Sequence, residues 1–330
     1  MLNINTWHNK RTYHFSDFSD IKKLVELKEQ RNLKISLCFP TLNEEKTIGQ
    51  SIVLMKGELQ DRYPLIDEIA VIDSGSNDKT MSIAAKFGAK TYAASDYLQD
   101  EGSYRGKGEN LWKALYLLEG DIIVFVDADI ANIHPRFAYG LVGPMLYDQE
   151  IKFIKAFYNR PLKNSAGVSP SGGGRVTEIL IRPLFSQFFP ELSGMIQPLS
   201  GEYAGYRDLF EQISFPIGYG VETGMLIDIA QKWGLLAMAQ VNLESRIHRN
   251  QSITSLGKMS FGILQTFWDR LHKYRGVPKM PVESYILRQM ELNNNEFNLL
   301  EHEIKEVERP PIIQVAEYRE KHHGNVCQRG

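Results

Sequence analysis

GDIIVFVDADI, running from Gly120 to Ile130, reads as a buried β-strand over Ile122 to Val126 that ends in two carboxylates. The run is continuously apolar and rich in β-branched residues, as expected of a central strand covered on both faces. Side chains two apart along a strand point the same way. Asp127 and Asp129 are therefore expected to present their acids together at the carboxyl end of the strand, where open α/β sheets bind ligands. Two such charges repel unless a cation joins them, and a hard divalent ion carrying phosphates suits oxygen donors. The competing explanation is an acidic turn ahead of a helix that begins near Pro135.

Upstream, the same alternation recurs. A strand from Ile35 to Phe39 ends at Pro40-Thr41-Leu42-Asn43-Glu44-Glu45, and a helix is predicted from Lys46 to Leu59. Asn43 is placed to cap that helix, with two glutamates in its first turn. The loop after a first parallel strand is also a usual nucleotide site. A second strand, Glu68 to Ile72, enters the turn Asp73 to Thr80, built on Gly75, and a helix follows to Phe87. A short strand is predicted over Lys90 to Ala93. Strand, polar turn and helix repeated in this way mean parallel βαβ units. Arg105-Gly106-Lys107-Gly108-Glu109-Asn110 then opens a helix to Leu118, and glycines beside a lysine there suit an anion or a surface turn.

Downstream, a helix to Tyr147 and a strand over Lys152 to Tyr158 lead into a polar loop. Gly172-Gly173-Gly174-Arg175-Val176-Thr177 follows it and precedes a helix over Glu178 to Phe188. Three consecutive glycines carry a large entropic cost, and here they would either let backbone N–H groups converge on an anion or form a flexible hinge before the helix. Arg175 adds a bidentate fork and Thr177 a hydroxyl. A cation in a first helical turn opposes the helix dipole unless an anion joins it. Glu222, after Gly218-Tyr219-Gly220, is either a first-turn helix charge or a partner for a substrate hydroxyl. After the strand Leu236 to Val241, Arg246, His248 and Asn250 alternate and share one side if the segment is extended.

The totals set bounds. With 330 residues and 43% hydrophobic content, the chain makes one large domain, or one domain with an appendage. A net charge of -2 gives no global polyanion-binding surface, so no nucleic acid is expected. Two cysteines, Cys38 in an apolar run and Cys327 in the polar tail, argue against a disulfide framework and for a reducing compartment. The N-terminus lacks the apolar segment of a signal peptide, and no apolar run approaches the roughly 18 residues of a membrane span. A cytoplasmic protein without a membrane partner is expected. No strand is followed by GxGxxG, which excludes a dinucleotide-dependent dehydrogenase of that type.

Taken together, PTLNEE, DSGSNDKT, GKGENLW, FVDADI, GGGRVTE, QPLSGEYAG, GYGVETG and RIHRN resemble nucleotide-sugar-dependent glycosyltransferases of the GT-A fold. More narrowly, they resemble the retaining glucosyl-3-phosphoglycerate synthase family, over roughly Ile35 to Trp268. PTLNEE with the DxD marks only the superfamily, whereas GGGRVTE, GYGVE and RxHRN in this order are far more specific. The resemblance implies an α/β fold with a mostly parallel, Rossmann-like central sheet flanked by helices. It divides the chain into an N-terminal arm and helix (1–32), a catalytic domain (33–275) and a C-terminal helical appendage and tail (276–330). The nucleotide-sugar half would be about 33–130 and the acceptor half about 131–275.

The resemblance also implies roles. Pro40, Thr41, Leu42 and Glu44 would hold the uracil and ribose of the donor, and Ser74 and Lys107 would contact the nucleotide. Asp127 would take the nucleotide side of the DxD, and Asp129 and His248 would ligate Mg2+ or Mn2+. Arg246 would neutralise the diphosphate, and Tyr219 and Glu222 would face the donor sugar. Gly174, Arg175, Val176 and Thr177 would hold the acceptor phosphate, with Asn250 close by. Glu222, Asp129 and Arg246 are the expected catalytic groups. The implied reaction moves glucose, with UDP-glucose as the expected donor, to the 2-hydroxyl of D-3-phosphoglycerate with retention, toward a glucosylglycerate-type compatible solute or a polysaccharide primer. Alternatives are a mannosyl-3-phosphoglycerate synthase using GDP-mannose, a transferase with another phosphorylated acceptor, or a non-catalytic sugar-nucleotide sensor. A homodimer is a family expectation.

Overall fold

A computed structural model describes residues 4–160, 162–164, 167–169, 174–247, 251–279, 281–293 and 296–324. Its eight-stranded central sheet comprises β1 Thr12–His14, β2 Ile35–Thr41, β3 Glu68–Asp73, β4 Lys90–Ala93, β5 Ile122–Phe125, β6 Phe153–Asn159, β7 Tyr203–Tyr206 and β8 Met238–Ser245. The spatial order is β1-β8-β6-β7-β5-β2-β3-β4. All neighbours are parallel except at β7, which runs antiparallel between β5 and β6. The α/β fold with a mostly parallel sheet is as expected from the strand–helix alternation.

The period-two geometry of strands splits this sheet's side chains between two cores. Ile122 and Val124 of β5 pack on one face with Leu37, Phe39, Ile69 and Val71. Ile123 and Phe125 pack on the other with Cys38, Ala70, Ile72 and Tyr203. All four residues of β5 are fully buried, so the strand has no solvated face and needs no polar alternation. Phe125 makes ring contacts with Tyr203 and Phe210 at 5.5 and 5.7 Å between centroids.

The structure departs from the sequence reading in five places. The helix after β2 starts at Ile48, and Asn43 does not cap it. Asn43 instead adopts a left-handed φ of 59°, and its side-chain oxygen accepts from Asn77 N–H at 2.9 Å. Asn tolerates that conformation, and the neighbouring turn supplies the bond. The loop after β6 contains a short antiparallel pair, Leu162–Asn164 with Gly167–Ser169. A 23-residue helix, Ile253–Arg275, follows β8; its buried Gly262, Ile263, Thr266, Phe267, Arg270 and Leu271 carry the 3.6 period. Ile286–Asn293 and Glu296–Glu303 form an antiparallel pair of strands, not a helix. Met290 faces Leu299 and Leu292 faces Phe297 across it, a period-two pattern that a helix would scatter. The N-terminal arm also joins the sheet, through β1 beside β8. Among the described residues no helix is long and apolar enough to cross a membrane.

Truncating β5 should be costly and truncating the surface should not. Phe125→Ala should lose about 3–5 kcal/mol in guanidinium unfolding. Val53→Ala, on an exposed helix face, should stay within about 0.5 kcal/mol.

Candidate active site

β5 ends at Phe125, so Asp127 and Asp129 lie in the turn beyond it rather than on the strand. They converge nevertheless, on a cation instead of by strand alternation. Arg246, just after β8, donates from Nη2 to Asp127 Oδ2 at 3.0 Å and to Asp129 Oδ1 at 2.6 Å. Its Nη1 donates to the Tyr158 hydroxyl at 2.9 Å and lies 3.0 Å from Glu202 Oε1. A guanidinium this buried is sustained only by several charged acceptors at once. The backbone around it is pinned by the loop that follows the DxD. Ile247 N–H donates to Asn132 Oδ1 at 2.7 Å, and Ala131 N–H to the Ile247 carbonyl at 2.9 Å. Gly201 is required here, since a Cβ would fall 1.9 Å from Asp127 Oδ2.

Two helix starts complete the cluster. Lys107 opens the helix Lys107–Leu117, and its Nζ lies 2.6 Å from Asp127 Oδ1 and 2.9 Å from Glu222 Oε1. Glu222 sits in the first turn of the helix Val221–Trp233. Burial disfavours the charged forms of Asp127 and Lys107, and the opposite charges beside them outweigh it. Lys107 and Arg246 hold Asp127 well below the usual carboxylate range. Asp127 and Glu222 hold the Lys107 ammonium well above its ordinary value. Glu202 is pushed up by burial in spite of Arg246.

Behind the cluster, on β6, lies Lys155. Its Nζ stands 4.2 Å from the centre of the Tyr203 ring and has no hydrogen-bond partner among the described residues. Burial lowers its pKa to about 7, although Glu222 pulls the other way. Four carboxylates (Asp127, Asp129, Glu202, Glu222) thus meet two paired cations and one lysine that is only partly charged at neutral pH.

The cluster floors a cleft of about 260 Å³. Pro40, Glu44, Lys107, Asp127, Asp129, Gly174, Arg175, Val176, Thr177, Tyr219, Glu222 and Arg246 all line it, so the structure brings most of the sequence-derived residues together. Gly174 has a φ of 82° just before the helical turn that carries Arg175 and Thr177, and Arg175 Nη2 donates to the Gln251 carbonyl at 2.9 Å. Thr41, Leu42 and Ser74 do not line the cleft. The Thr41 hydroxyl is spent on Asp73 Oδ1 at 2.9 Å, and the Ser74 hydroxyl on Asn110 Oδ1 at 2.8 Å. His248 and Asn250 lie outside the described residues, as do Gly172 and Gly173. Among the described residues no three His, Cys, Asp or Glu side chains are grouped to hold one metal ion. The donor chemistry still fits a hard divalent ion, because the carboxylate oxygens of Asp127 and Asp129 meet at the cleft.

Sequence reasoning missed Glu202, Tyr158, Lys155 and Arg160, the last of which lines the cleft and donates to the Tyr158 hydroxyl at 2.9 Å. Glu202 stood inside QPLSGEYAG without a role, and no local spacing ties it to Arg246, 44 residues away. Lys155 had a local signal, a lysine within an apolar strand.

The model of glycosyl transferase family 2 matches residues 36–165. The glucosyl-3-phosphoglycerate synthase of Petrotoga mobilis is 56% identical over 314 residues, covering 94% of this chain and 96% of that one. The chain belongs to the glucosyl-3-phosphoglycerate synthase family, and it is a glycosyltransferase. Two solved structures extend the likeness to the backbone. The mannosyl-3-phosphoglycerate synthase of Rubrobacter xylanophilus superposes with a TM-score of 0.87 at 36% identity, over 94% of this chain and 99% of that one. The Mycobacterium tuberculosis glucosyl-3-phosphoglycerate synthase, in complex with Mn2+, UDP-glucose and phosphoglyceric acid, gives 0.76 at 38% identity, over 88% and 94%. The GT-A expectation for the fold of a family member is met.

Lys155 gives a pH signature. Between about pH 7 and the ordinary lysine value, the unfolded chain holds a proton that the folded one lacks, so this group's contribution to stability rises with pH across that window. Tm of the unliganded wild type should therefore gain on that of Lys155→Met from pH 7 to pH 9, with the variant the more favoured at pH 7. Parallel Tm curves for the two proteins would show that Lys155 keeps its usual pKa.

Proposed function

We propose that this chain transfers glucose from a nucleoside diphosphate glucose, UDP-glucose, to the 2-hydroxyl of D-3-phosphoglycerate, with retention and with Mg2+ or Mn2+. The observation that carries the reading is the meeting of the Asp127–Arg246–Lys107–Glu222 cluster and the Gly174–Thr177 turn in one cleft. The first is a floor of paired carboxylates and cations, suited to a metal diphosphate. The second is a cationic turn at a helix start, suited to a phosphate. The Mycobacterium tuberculosis relative, with UDP-glucose, Mn2+ and phosphoglyceric acid, supports that pairing.

The residues divide the work as follows. Pro40 and Glu44 would border the nucleoside, with Thr41, Leu42 and Ser74 shaping that wall from outside the cleft. Asp129 and His248 would hold the metal ion, which supplies Lewis-acid neutralisation of the diphosphate. Asp127 would hold Lys107 and Arg246 in place for the phosphates. These two cations are already fixed before substrate enters, so charge that grows on the leaving diphosphate needs no reorganisation of the site. Tyr219 and Glu222 would bracket the donor sugar. Gly174, Arg175, Val176, Thr177 and Asn250 would anchor the acceptor's phosphate, which orients its hydroxyl against the anomeric carbon. Glu222 is tied to Lys107, so we favour front-face displacement, with the acceptor proton passing to the leaving phosphate and no glycosyl-enzyme. Isolation of a covalent glycosyl-enzyme from wild type would overturn that choice.

A second reading has its own support. The Rubrobacter xylanophilus likeness favours a mannosyl transfer to the same acceptor. A product assay with 3-phosphoglycerate and UDP-glucose, ADP-glucose, GDP-glucose or GDP-mannose, each with Mg2+ or chelator, separates the two. Metal-dependent glucosyl transfer supports the first, and transfer from GDP-mannose alone supports the second. Glu222→Gln should lower kcat by about 10²–10³ while UDP affinity holds.

The chain is also proposed to be a homodimer. The strand pair Ile286–Asn293 and Glu296–Glu303 exposes Met290, Leu292, Phe297 and Leu299 on one face, an apolar surface that a second copy could cover. Light scattering should give twice the chain mass, and Leu292→Glu with Phe297→Glu should return it to that of one chain.

A further inference from the structure

The segment Ile304–Arg309 lies beyond the catalytic motifs in the sequence, yet it reaches the cleft from behind. Its backbone is fixed on both sides. Glu308–Arg309 pairs antiparallel with Phe215–Pro216, and Ile217 N–H donates to the Val307 carbonyl at 2.9 Å. Arg309, almost wholly buried, forks onto Glu109 of the Lys107 helix with two bonds of 2.6 Å. On the other side Gln265 accepts from Glu306 N–H at 3.1 Å and donates to the Ile304 carbonyl at 2.9 Å. These bonds deliver the Glu306 side chain to one place.

There its carboxylate accepts the backbone N–H groups of Gly218 at 2.9 Å and Tyr219 at 3.1 Å. Two glycines make the room. A Cβ on Gly218 would lie 2.3 Å from Glu306 Oε1, and one on Gly262 would lie 2.5 Å from it. The turn so held leads directly into Tyr219, which lines the cleft, and Glu222, which meets Lys107. Charged hydrogen bonds of this kind are worth more than neutral ones, and they bind the turn rather than any substrate.

We infer that Glu306 is a positioning residue for the donor-sugar subsite, fixing the Gly218–Gly220 turn and through it Tyr219 and Glu222. The inference rests on the proposed assignment of those two residues to the donor sugar. A tether that merely stabilised the fold would weaken every ligand alike. A positioning role separates the sugar from the nucleotide, because Glu306 accepts from the turn that carries Tyr219 and leads to Glu222, whereas the nucleotide wall is formed by the separate loop Pro40–Glu44.

The test uses the full chain with Glu306→Ala and Glu306→Gln, measuring KM for the sugar nucleotide that wild type uses, KM for 3-phosphoglycerate, Kd for the free nucleoside diphosphate, and Tm. Glu306→Ala should raise the sugar-nucleotide KM about tenfold or more, the scale of lost charged hydrogen bonds. The diphosphate Kd and the acceptor KM should stay within about twofold. Glu306→Gln keeps one acceptor oxygen and should recover part of the loss; if the alanine variant fails to fold, the glutamine variant is read by the same split. Equal weakening of sugar nucleotide and diphosphate, or no change in either, would overturn the inference while leaving the proposed reaction standing. A wild type idle with every donor would overturn the proposed reaction and this inference with it.

Discussion

The site depends on one buried guanidinium. Arg246 holds Asp127, Asp129, Glu202 and Tyr158 around a single planar group, and four carboxylates could not share so small a volume without it and Lys107. Arginine suits this better than lysine, because its fork meets several acceptors in fixed directions and keeps its proton. The turn after β5, the end of β8 and the loop before β7 are each shaped to serve it. Gly201 gives up its side chain to admit Asp127, and Asn132 spends its amide on Ser245 and Ile247.

Much of this was legible in the sequence, and the reasons differ element by element. β5 could be read because four fully buried residues leave an uninterrupted apolar run. The pairing of Asp127 with Asp129 was read correctly, but on the wrong ground, since a turn and an arginine bring them together. The strand pair Ile286–Asn293 and Glu296–Glu303 was misread because its polar residues mask its alternation. The 23-residue helix after β8 was missed because its buried face includes Gly262, Thr266 and Arg270, which do not count as apolar. Glu202 and Lys155 acquire their significance only from partners far along the chain, and no window of sequence contains those partners.

The walls of the cleft are prepared to different degrees. Around Pro40–Glu45 the backbone is laced to the turn after β3. Asn43 N–H meets the Ser76 hydroxyl at 2.7 Å, Glu44 N–H meets Thr80 at 2.8 Å, and Asp73 collects the N–H groups of Gly75 and Ser76. A ligand that enters there meets loops whose ordering entropy was lost at folding, so binding bears none of it. Across the cleft, among the described residues, Arg175 is tied to the Gln251 carbonyl on an exposed segment.

The long reach of the contacts also shapes how the molecule comes into being. Gln240 bonds to Thr12 across 228 residues, and Arg309 to Glu109 across 200. Contacts of such separation close large loops and belong to slow-folding topologies. During synthesis from the N-terminus, the sheet can pair β2 with β3 and β3 with β4 early, but β1 must wait as an unpaired edge until β8 emerges. The Lys107 helix waits longer still for Arg309. A nascent chain halted before its last strand would carry every catalytic motif and still lack the brace behind two of them.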